Sequence, residues 1–280
     1  EPIILINGSD GIGTGFSSNI PCYKPADLKE CIVAILTGNQ QPKLVPWYKN
    51  FKGTIEPTEK GDSFTVTGIY TKTKNDTVEI TELPVGYWTQ DFKEHLESMV
   101  DSKIHSYLNY SSDTEVRFVV KYFPDKIKDI LKDFKLTRTI RTSNMHLYDS
   151  EGHMKKYNSP HEILKEFVEV RLKYYTLRKE YLLKAMSREL HILENKIRFI
   201  DLIVAEDLVV FKKSKKDLEK ELKDLKFKTV DKSYNYLLDM KIHFLTKDKI
   251  EEFNNTFKEL NGKITALDLL SNVDMWRNEM

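Results

Sequence analysis

Hydrophobic and polar positions follow two different repeats along this chain. In the first half they alternate over residues 63–71 and 77–83, which predicts two strands joined by a turn at residues 74–76. In the second half, apolar residues return every three or four positions over long stretches, which predicts helices with one apolar stripe each. The pattern indicates a mixed α/β region followed by long paired helices.

Shorter signals complete the first half. Residues 25–36 predict a helix, because Pro25 suits the first helical position and Gly38 suits its end. The apolar run at residues 3–6 predicts a short buried strand. The remaining predictions are a helix at 91–100, a strand at 116–122, a short helix at 125–134 and a hairpin that turns at Gly152 into residues 154–157.

The second half predicts two helices with heptad-like seams. The first starts at Ser159-Pro160, and the second starts at Thr246. Two such helices separated by a modest insert predict an antiparallel pair with a small globular tip. The seam of the first consists of Met186, Leu190, Leu193, Ile197, Ile200, Val204, Leu208 and Phe211, and that of the second of Ile250, Phe253, Phe257, Leu260, Ile264 and Leu267.

A glycine-rich loop follows the first apolar run, with Ile12 between two of its glycines. Glycine lets backbone approach another molecule closely, so this loop can place N–H groups against phosphates with Ile12 at its crest. It does not match a Walker loop, because Thr14 follows Gly13 where a lysine is required. A dinucleotide-binding turn is also a poor match, since Pro21 follows too soon for a helix. The alternative is a tight turn with Ile12 packed inward.

Two further features favour contact with phosphates. Trp88, at a predicted helix start, can donate its indole N–H to a phosphate, or it can be a buried packing residue. A run with three cations and no acid suits phosphate contacts, or it can be a solvated loop. That run consists of Lys135, Leu136, Thr137, Arg138, Thr139, Ile140, Arg141, Thr142, Ser143 and Asn144.

Composition limits the classes of function. The chain has 280 residues, 40% of them hydrophobic and 31% charged, which fits a folded chain with solvated helices. Its net charge of +1 means that any nucleic-acid surface must be local. The two cysteines form no disulfide framework, and the histidines show no metal-ligand spacing. No apolar run reaches membrane-spanning length, and no signal peptide is visible, so no membrane partner is expected.

The motif Asn7-Gly-x-x-Gly-Ile-Gly-Thr-Gly-x-Ser resembles that of type IIA DNA topoisomerases of the eukaryotic type. Thr-Glu-Leu-Pro…Trp-Thr at residues 81–89, Asn-Met-x-Leu-Tyr-Asp at 144–149 and Tyr-x-Tyr-Leu-Leu-x-Met at 234–240 fall in the order of that family. The resemblance implies that Ile12 is a wedge that inserts between base pairs and bends the duplex. It also implies DNA contacts from Trp88, from the basic run and from the loop residues Asn7, Gly8, Gly11, Gly13 and Thr14.

The resemblance implies an α+β fold in which a small mixed α/β tower domain precedes a long antiparallel coiled coil. The expected divisions are the DNA-bending tower at residues 1–157, the outgoing helix at 158–207, a C-gate dimerisation tip at 208–245 and the returning helix at 246–280. The expected partners are double-stranded DNA and a second copy of the chain, bound through the tip.

The implied activity is that of an ATP-dependent type II DNA topoisomerase, which passes one duplex through a transient double-strand break in another. The catalytic tyrosine, the Asp-x-Asp magnesium site and the ATP site are expected outside this chain, so Mg²⁺ and ATP would serve only the full-length enzyme. The alternative is a non-catalytic DNA-architectural protein or coiled-coil scaffold.

The source also bears on where the protein acts. Cellular members often carry an acidic insert where residues 226–233 form a short lysine-rich link, and this favours an enzyme of a large DNA virus. The expected location is the nucleus for a cellular source, and the host cytoplasm or the virion for a viral one.

Overall fold

A computed structural model describes residues 1–59, 61, 63–241, 244 and 246–280. His243 and Leu245, which belong to the histidine set and to the end of the predicted tip, lie outside the described residues. The chain forms two compact units, Glu1–Val170 and Arg171–Met280, and the division between them falls within one long helix. Antiparallel sheets with short helices, followed by long helices, confirm the predicted α+β class.

The first unit contains short strands and helices up to the start of the long helix. Its elements are α1 (Ile3–Asn7), β1 (Ser9–Gly13), β2 (Phe16–Ile20), α2 (Pro25–Thr37), β3 (Thr54–Pro57), β4 (Ser63–Thr67), β5 (Ile69–Lys74), β6 (Thr77–Glu82), α3 (Thr89–Met99), β7 (Ile104–Asn109), β8 (Phe118–Tyr122), α4 (Ile130–Asp133), β9 (Thr137–Arg141), β10 (Met145–Tyr148) and β11 (Met154–Tyr157).

The pairings between the strands named above are antiparallel. The largest sheet has the order β5-β6-β8-β7, and α3 packs against it through Phe92, whose ring lies 4.9 Å from that of Phe118 in a T-shaped contact. A second sheet has the order β3-β4-β9, and β1-β2 and β10-β11 form separate hairpins. The predicted helix at 25–36, the strand at 77–83 and the hairpin at Gly152 are confirmed, whereas β7 was not predicted.

The prediction of one strand over residues 63–71 is wrong, because two strands of different sheets occupy it. Gly68 separates β4 from β5, and its N–H donates to the carbonyl of Leu136 at 2.9 Å. A Cβ atom at Gly68 would lie 2.3 Å from the carbonyl oxygen of Glu82. The chain changes sheets where only glycine fits between neighbouring backbones.

Two predictions near the start of the chain are also wrong. The apolar run at 3–6 is the helix α1, in which the N–H groups of Leu5 and Ile6 donate to the carbonyl of Pro2 at 3.0 and 3.3 Å. A short apolar run does not distinguish a strand from a buried helical turn. The glycine-rich segment is not a loop but the β1–β2 hairpin, here called the glycine hairpin. Of the predicted helix at 125–134, only α4 is helical.

The second unit consists of helices. The long helix is α5 (Pro160–Val204), and it is followed by α6 (Lys215–Asp224), α7 (Asn235–Leu238), α8 (Lys247–Leu269) and α9 (Asn272–Glu279). Lys179 of α5 donates to the carbonyls of Asp268 and Leu270 at 2.8 Å, beside the end of α8. Lys196, later in α5, lines one cavity with Phe253, near the start of α8. The helices α5 and α8 therefore run antiparallel, as predicted.

The seams are only partly as predicted. On α8 the six seam residues are half-buried, while most residues between them are exposed. On α5 the prediction fails at the far end, because the helix ends at Val204 and Glu206 adopts a left-handed φ of 60°. Leu208 is instead buried outside the helix, and Phe211 is exposed. The predicted returning helix is also interrupted, since α9 starts anew after Ser271.

The tip has its own apolar core. Five buried side chains form what is here called the tip cluster: Phe199, Leu208, Leu222, Phe227 and Leu237. Two hydrogen bonds join α5 to the chain beyond α6, since Arg198 donates to the carbonyl of Leu225 at 2.7 Å and Asn195 donates to the hydroxyl of Tyr236 at 3.0 Å. The link between α6 and α7 is therefore fixed to α5 by packing and by polar contacts.

Candidate nucleic-acid interface

One groove of the first unit, with a volume of about 940 Å³, brings together segments that are far apart in sequence. One side is the base of the glycine hairpin, another is the turn before α3, and a third is β9 with the residues after it. The lining residues are Asn7, Gly8, Ser9, Asp10, Asn19, Ile20, Cys22, Tyr48, Val85, Gly86, Trp88, Arg138, Thr139, Ile140, Arg141, Ser143 and Asn144. Segments predicted separately to contact DNA therefore share one surface.

The far end of the glycine hairpin projects beyond the groove lining. All five residues of β1 are exposed, and the side chain of Ile12, paired with Ser17 across the hairpin, is 91% exposed. The alternative in which Ile12 packs inward is wrong for this chain. Gly11, Gly13 and Thr14 lie beside Ile12 and are likewise exposed.

A polar network fixes the second strand of the hairpin to β10. The N–H of Asn19 donates to the carbonyl of Asn144 at 2.7 Å, and the Asn144 side-chain amide donates to Ser17 Oγ at 2.9 Å. The hydroxyl of Ser18 donates to the carbonyl of His146 at 2.8 Å and accepts from the His146 N–H at 3.1 Å. Directional bonds of this kind set the orientation of a hairpin that buries little apolar surface.

Gly8 sets the entry to the hairpin. Its φ of 68° lies in the left-handed region, and a Cβ there would come within 2.7 Å of the Ile20 carbonyl and 2.9 Å of Cys22 Sγ. The Cys22 thiol donates to the carbonyl of Asn7 at 3.1 Å. Burial raises the pKa of Cys22, which keeps the thiol protonated and able to donate. Gly8 therefore has a structural reason to be glycine, independent of DNA.

Trp88 lies at the entrance of α3, where it is the N-cap residue, and its side chain is 72% exposed. It is therefore not a core residue of this chain. The turn before it passes through Gly86, whose φ is 76° and whose carbonyl accepts a hydrogen bond from the Arg138 guanidinium. Arg138 thus connects β9 to the turn that carries Trp88.

Much of the basic run is a strand rather than a loop. Thr137 to Arg141 form β9 and pair with β4. Lys135 is exposed in a left-handed turn with φ of 51°. The other accessible members of the run are exposed or half-buried: Thr137, Arg138, Thr139, Ile140, Arg141, Ser143 and Asn144.

Two members of the run face inward, which corrects the prediction for them. Leu136 is fully buried in the core beneath α3, its N–H donates to Leu131 at 2.8 Å, and its carbonyl accepts from Gly68. Thr142 is also buried. Neither side chain is accessible, and the two residues flank β9 on either side rather than belonging to it.

The groove contains few charges, and most of them are positive. Arg138 and Arg141 are its cations, and Asp10 is the one carboxylate among its lining residues. Tyr48 also lines it, and burial raises the pKa of that phenol to about 12, so the hydroxyl stays a donor. Guanidinium, amide and hydroxyl groups of this kind suit contacts to phosphate, which position a protein without reading base sequence.

Sequence reasoning missed several groove residues. Tyr48 belongs to an aromatic and lysine-rich stretch at residues 46–55, a composition that can stack on bases and neutralise phosphates. Asn19 and Cys22 follow the glycine motif directly, so their closeness to that motif in the sequence was the available signal. Gly86 gave no signal, because its role depends on the distant Arg138.

The described residues include no group of three His, Cys, Asp or Glu side chains placed to hold a metal ion. In the same part of the chain, no helix combines the length and apolar character needed to cross a bilayer.

Comparison with known proteins gives consistent results. Residues 2–280 match the family of DNA gyrase/topoisomerase IV A subunits. A DNA topoisomerase 2 of Pisum sativum is 43% identical over 238 residues, covering 81% of this chain and 16% of the relative. A DNA topoisomerase 2 of Penicillium chrysogenum is 36% identical over 319 aligned residues, covering 100% of this chain and 20% of the relative.

A solved structure is also similar. The Plasmodium falciparum topoisomerase II DNA-binding, cleavage and re-ligation domain superposes with a TM-score of 0.85 at 36% identity. The match covers 99% of this chain and 42% of that one. The likeness therefore includes nearly the whole chain and only part of each relative.

Proposed function

Since the chain belongs to the family of DNA gyrase/topoisomerase IV A subunits, we propose that it is a DNA-binding part of a type II DNA topoisomerase. Such an enzyme passes one duplex through a transient double-strand break in another and so changes supercoiling and unlinks DNA. The chain spans about a fifth of the length of the curated relatives it matches. On this proposal, ATP hydrolysis, Mg²⁺ and the cleavage chemistry belong to the longer protein.

The observation that carries the proposal is the shared groove. Asn7 and Gly8, Trp88 and the segment from Arg138 to Asn144 line it together, although they are spread over more than a hundred residues of sequence. Two arginines and several neutral donors supply phosphate contacts there. Duplex DNA is the proposed ligand, and it is bound through its backbone.

Ile12 is proposed as the residue that bends the duplex. An apolar side chain inserted at a base step costs a few kcal/mol of unstacking, and the bend that results brings more DNA onto the protein. The exposure of Ile12 at the end of a hairpin anchored by the Ser17, Ser18, Asn144 and His146 network supports this role. A side chain that acts as a wedge must not be packed in the core of the protein, and its orientation must be fixed.

The tip is proposed as a dimer contact that serves as the exit gate for the transported duplex. Val209 and Phe211 are 51% and 64% exposed there, directly after the buried Leu208. An apolar patch can meet its own copy across a two-fold axis. Sedimentation of the chain should show a dimer that forms with rising concentration, and a strict monomer at high concentration counts against the gate.

The proposed place of action follows from the eukaryotic relatives. It is the nucleus in a cellular eukaryote, and the cytoplasmic factory or the virion if the gene belongs to a large DNA virus.

Ile12→Ala is the direct test of the wedge. The bend that the chain induces in a short duplex is measured by fluorescence transfer between the two DNA ends, and Ile12→Ala should reduce it. The affinity for the same duplex, measured in a direct binding assay, should fall much less. Ile3→Ala removes an isoleucine that is 68% exposed and outside the groove, and it should leave bending unchanged. Equal bending by Ile12→Ala and the unsubstituted chain would mean that Ile12 is not the wedge.

The whole-protein proposal has a separate test. The longer protein should relax supercoiled DNA when supplied with ATP and Mg²⁺. A longer protein that bends DNA without relaxing it would instead be a DNA-architectural scaffold.

A further inference from the structure

The tip has a second basic surface that the groove does not use. Residues 212–232 contain nine lysines and five acidic residues, whereas the whole chain carries a net charge of only +1. The segment has an excess of four positive charges, which lies before and after α6, since α6 itself carries four lysines and four acidic residues. It includes α6 and the link that precedes α7.

The helix α6 has two opposite faces. Lys216, Lys220 and Lys223 are spaced at i, i+4 and i+7, which places them on one side of a helix, and all three are exposed. We call these three residues the lysine face. The other side carries Leu218, Leu222 and Leu225, of which Leu222 is fully buried in the tip cluster and the others are half-buried.

The lysine face forms no ion pair with the rest of the described chain, although Glu219 and Asp224 flank it on the same helix. Lys213 beside it pairs with Glu221 at 2.7 Å, and Lys215 donates to the Asn235 side chain at 2.9 Å. By contrast, no described carboxylate lies within 4.0 Å of the ammonium groups of the three face lysines. Their charge is therefore available to a ligand.

We propose that the lysine face of α6 binds the sugar–phosphate backbone of duplex DNA, as a contact separate from the groove. The proposal rests on the proposed function, which supplies duplex DNA as the ligand. Seven helical residues rise by about 10.5 Å, which matches roughly three phosphate intervals along one DNA strand. The face contains only ammonium groups, so it neutralises phosphates without distinguishing bases.

The burial of Leu222 argues against an anionic membrane as the ligand. A helix that lies on a membrane inserts its apolar face between lipids. In α6 that face is already occupied, because it packs into the tip cluster with Phe199 and Phe227. The lysine face lies on the exposed side of the helix, where it suits a rigid polyanion.

The test compares two triple variants of the 280-residue chain that remove equal charge. The first is K216Q/K220Q/K223Q. The control is K173Q/K258Q/K263Q, which neutralises three exposed lysines of the same unit outside the tip. Binding to a fluorescent duplex of about 40 base pairs is measured by anisotropy between about 50 and 200 mM salt, a range over which phosphate contacts weaken strongly.

The lysine-face variant should lower affinity about tenfold or more and reduce the slope of log K against log salt by about 2.7, at about 0.9 for each lost contact. The control should change affinity by less than about twofold. The charge-preserving variant K216R/K220R/K223R should bind like the unsubstituted chain, and circular dichroism should show each variant folded. Equal affinity of the lysine-face and control variants would overturn the proposal.

Two further measurements distinguish binding through the lysine face from binding through the groove, and DNA from a membrane as the ligand. Arg141→Gln should lower affinity through the groove, and its effect should add to that of the lysine-face variant. If Arg141→Gln lowers binding and the lysine-face variant does not, the groove is supported and the lysine face is overturned. If the lysine-face variant loses binding to anionic vesicles of phosphatidylserine and phosphatidylcholine but not to DNA, the proposal is also wrong.

Discussion

The glycine hairpin and the tip both expose a large apolar side chain, but they are held in opposite ways. Ile12 projects from a strand whose five residues are all exposed, and the hairpin is fixed to β10 by hydrogen bonds from Ser18, Asn19 and Asn144. Phe211 follows a segment that is anchored by the buried Leu208 in the apolar tip cluster.

The difference concerns orientation and stability. Hydrogen bonds are directional, and each contributes about 0.5–1.5 kcal/mol net, so the hairpin is accurately oriented but only modestly stabilised. Apolar burial is non-directional and scales with area, so the tip is more strongly stabilised. The difference suits the proposed roles, in which a wedge must point one way and a gate must stay folded while its contacts open.

The largest expected effect is in the tip. Phe227→Ala should lower the free energy of unfolding by about 3–5 kcal/mol, because it removes a buried ring from the cluster. Phe227 is 5% exposed, its ring lies 6.4 Å from that of Phe199, and the Arg198 guanidinium lies 4.6 Å above it. Urea titration combined with hydrogen exchange of tip amides measures the loss.

Phe211→Ala is the matched control, since it removes the same ring from an exposed position. This variant should lower the free energy of unfolding by less than about 0.5 kcal/mol. Similar losses for the two variants would show that packing of the tip cluster is not what stabilises the tip.

A smaller effect is expected at the entry to the glycine hairpin. Gly8→Ala should destabilise the hairpin by about 2 kcal/mol, because alanine is strained at positive φ and its Cβ would contact the Ile20 carbonyl at 2.7 Å. Gly11→Ala should not destabilise the hairpin to a comparable extent. No atom lies within 4 Å of the position that its Cβ would take, and the φ of Gly11 is not in the left-handed region. Hydrogen exchange of the β1 and β2 amides distinguishes the two variants.

The elements that were predicted correctly depend on local signals. Pro25 begins α2, and Gly38 ends it in the left-handed conformation. The elements that failed depend on distant partners. Gly68 divides a predicted strand because its amide bonds to Leu136, and the predicted α5 seam loses Leu208 to the tip cluster.

The candidate site follows the same rule. Residue types such as Trp88 and Arg141 were available from motifs, and the structure places both in the groove. The bond between Arg138 and Gly86 joins residues 52 positions apart, so no local pattern could indicate it. Leu136 was misassigned because the charge of its neighbours gave no sign that its side chain turns into the core.

The smallest effect tests the polar network itself. Ser18→Ala removes a hydroxyl that both donates to and accepts from the backbone of His146, at 2.8 and 3.1 Å. The hairpin should lose about 1 kcal/mol, which corresponds to about fivefold faster hydrogen exchange of its amides. Ser9→Ala is the control, because Ser9 is exposed on the opposite strand. If the hairpin amides exchange at the same rate in both variants, the network does not hold β2 on β10. If Ser18→Ala alone exchanges faster and also bends DNA less at unchanged affinity, the orientation of Ile12 depends on hydrogen bonds, in contrast to the packed tip.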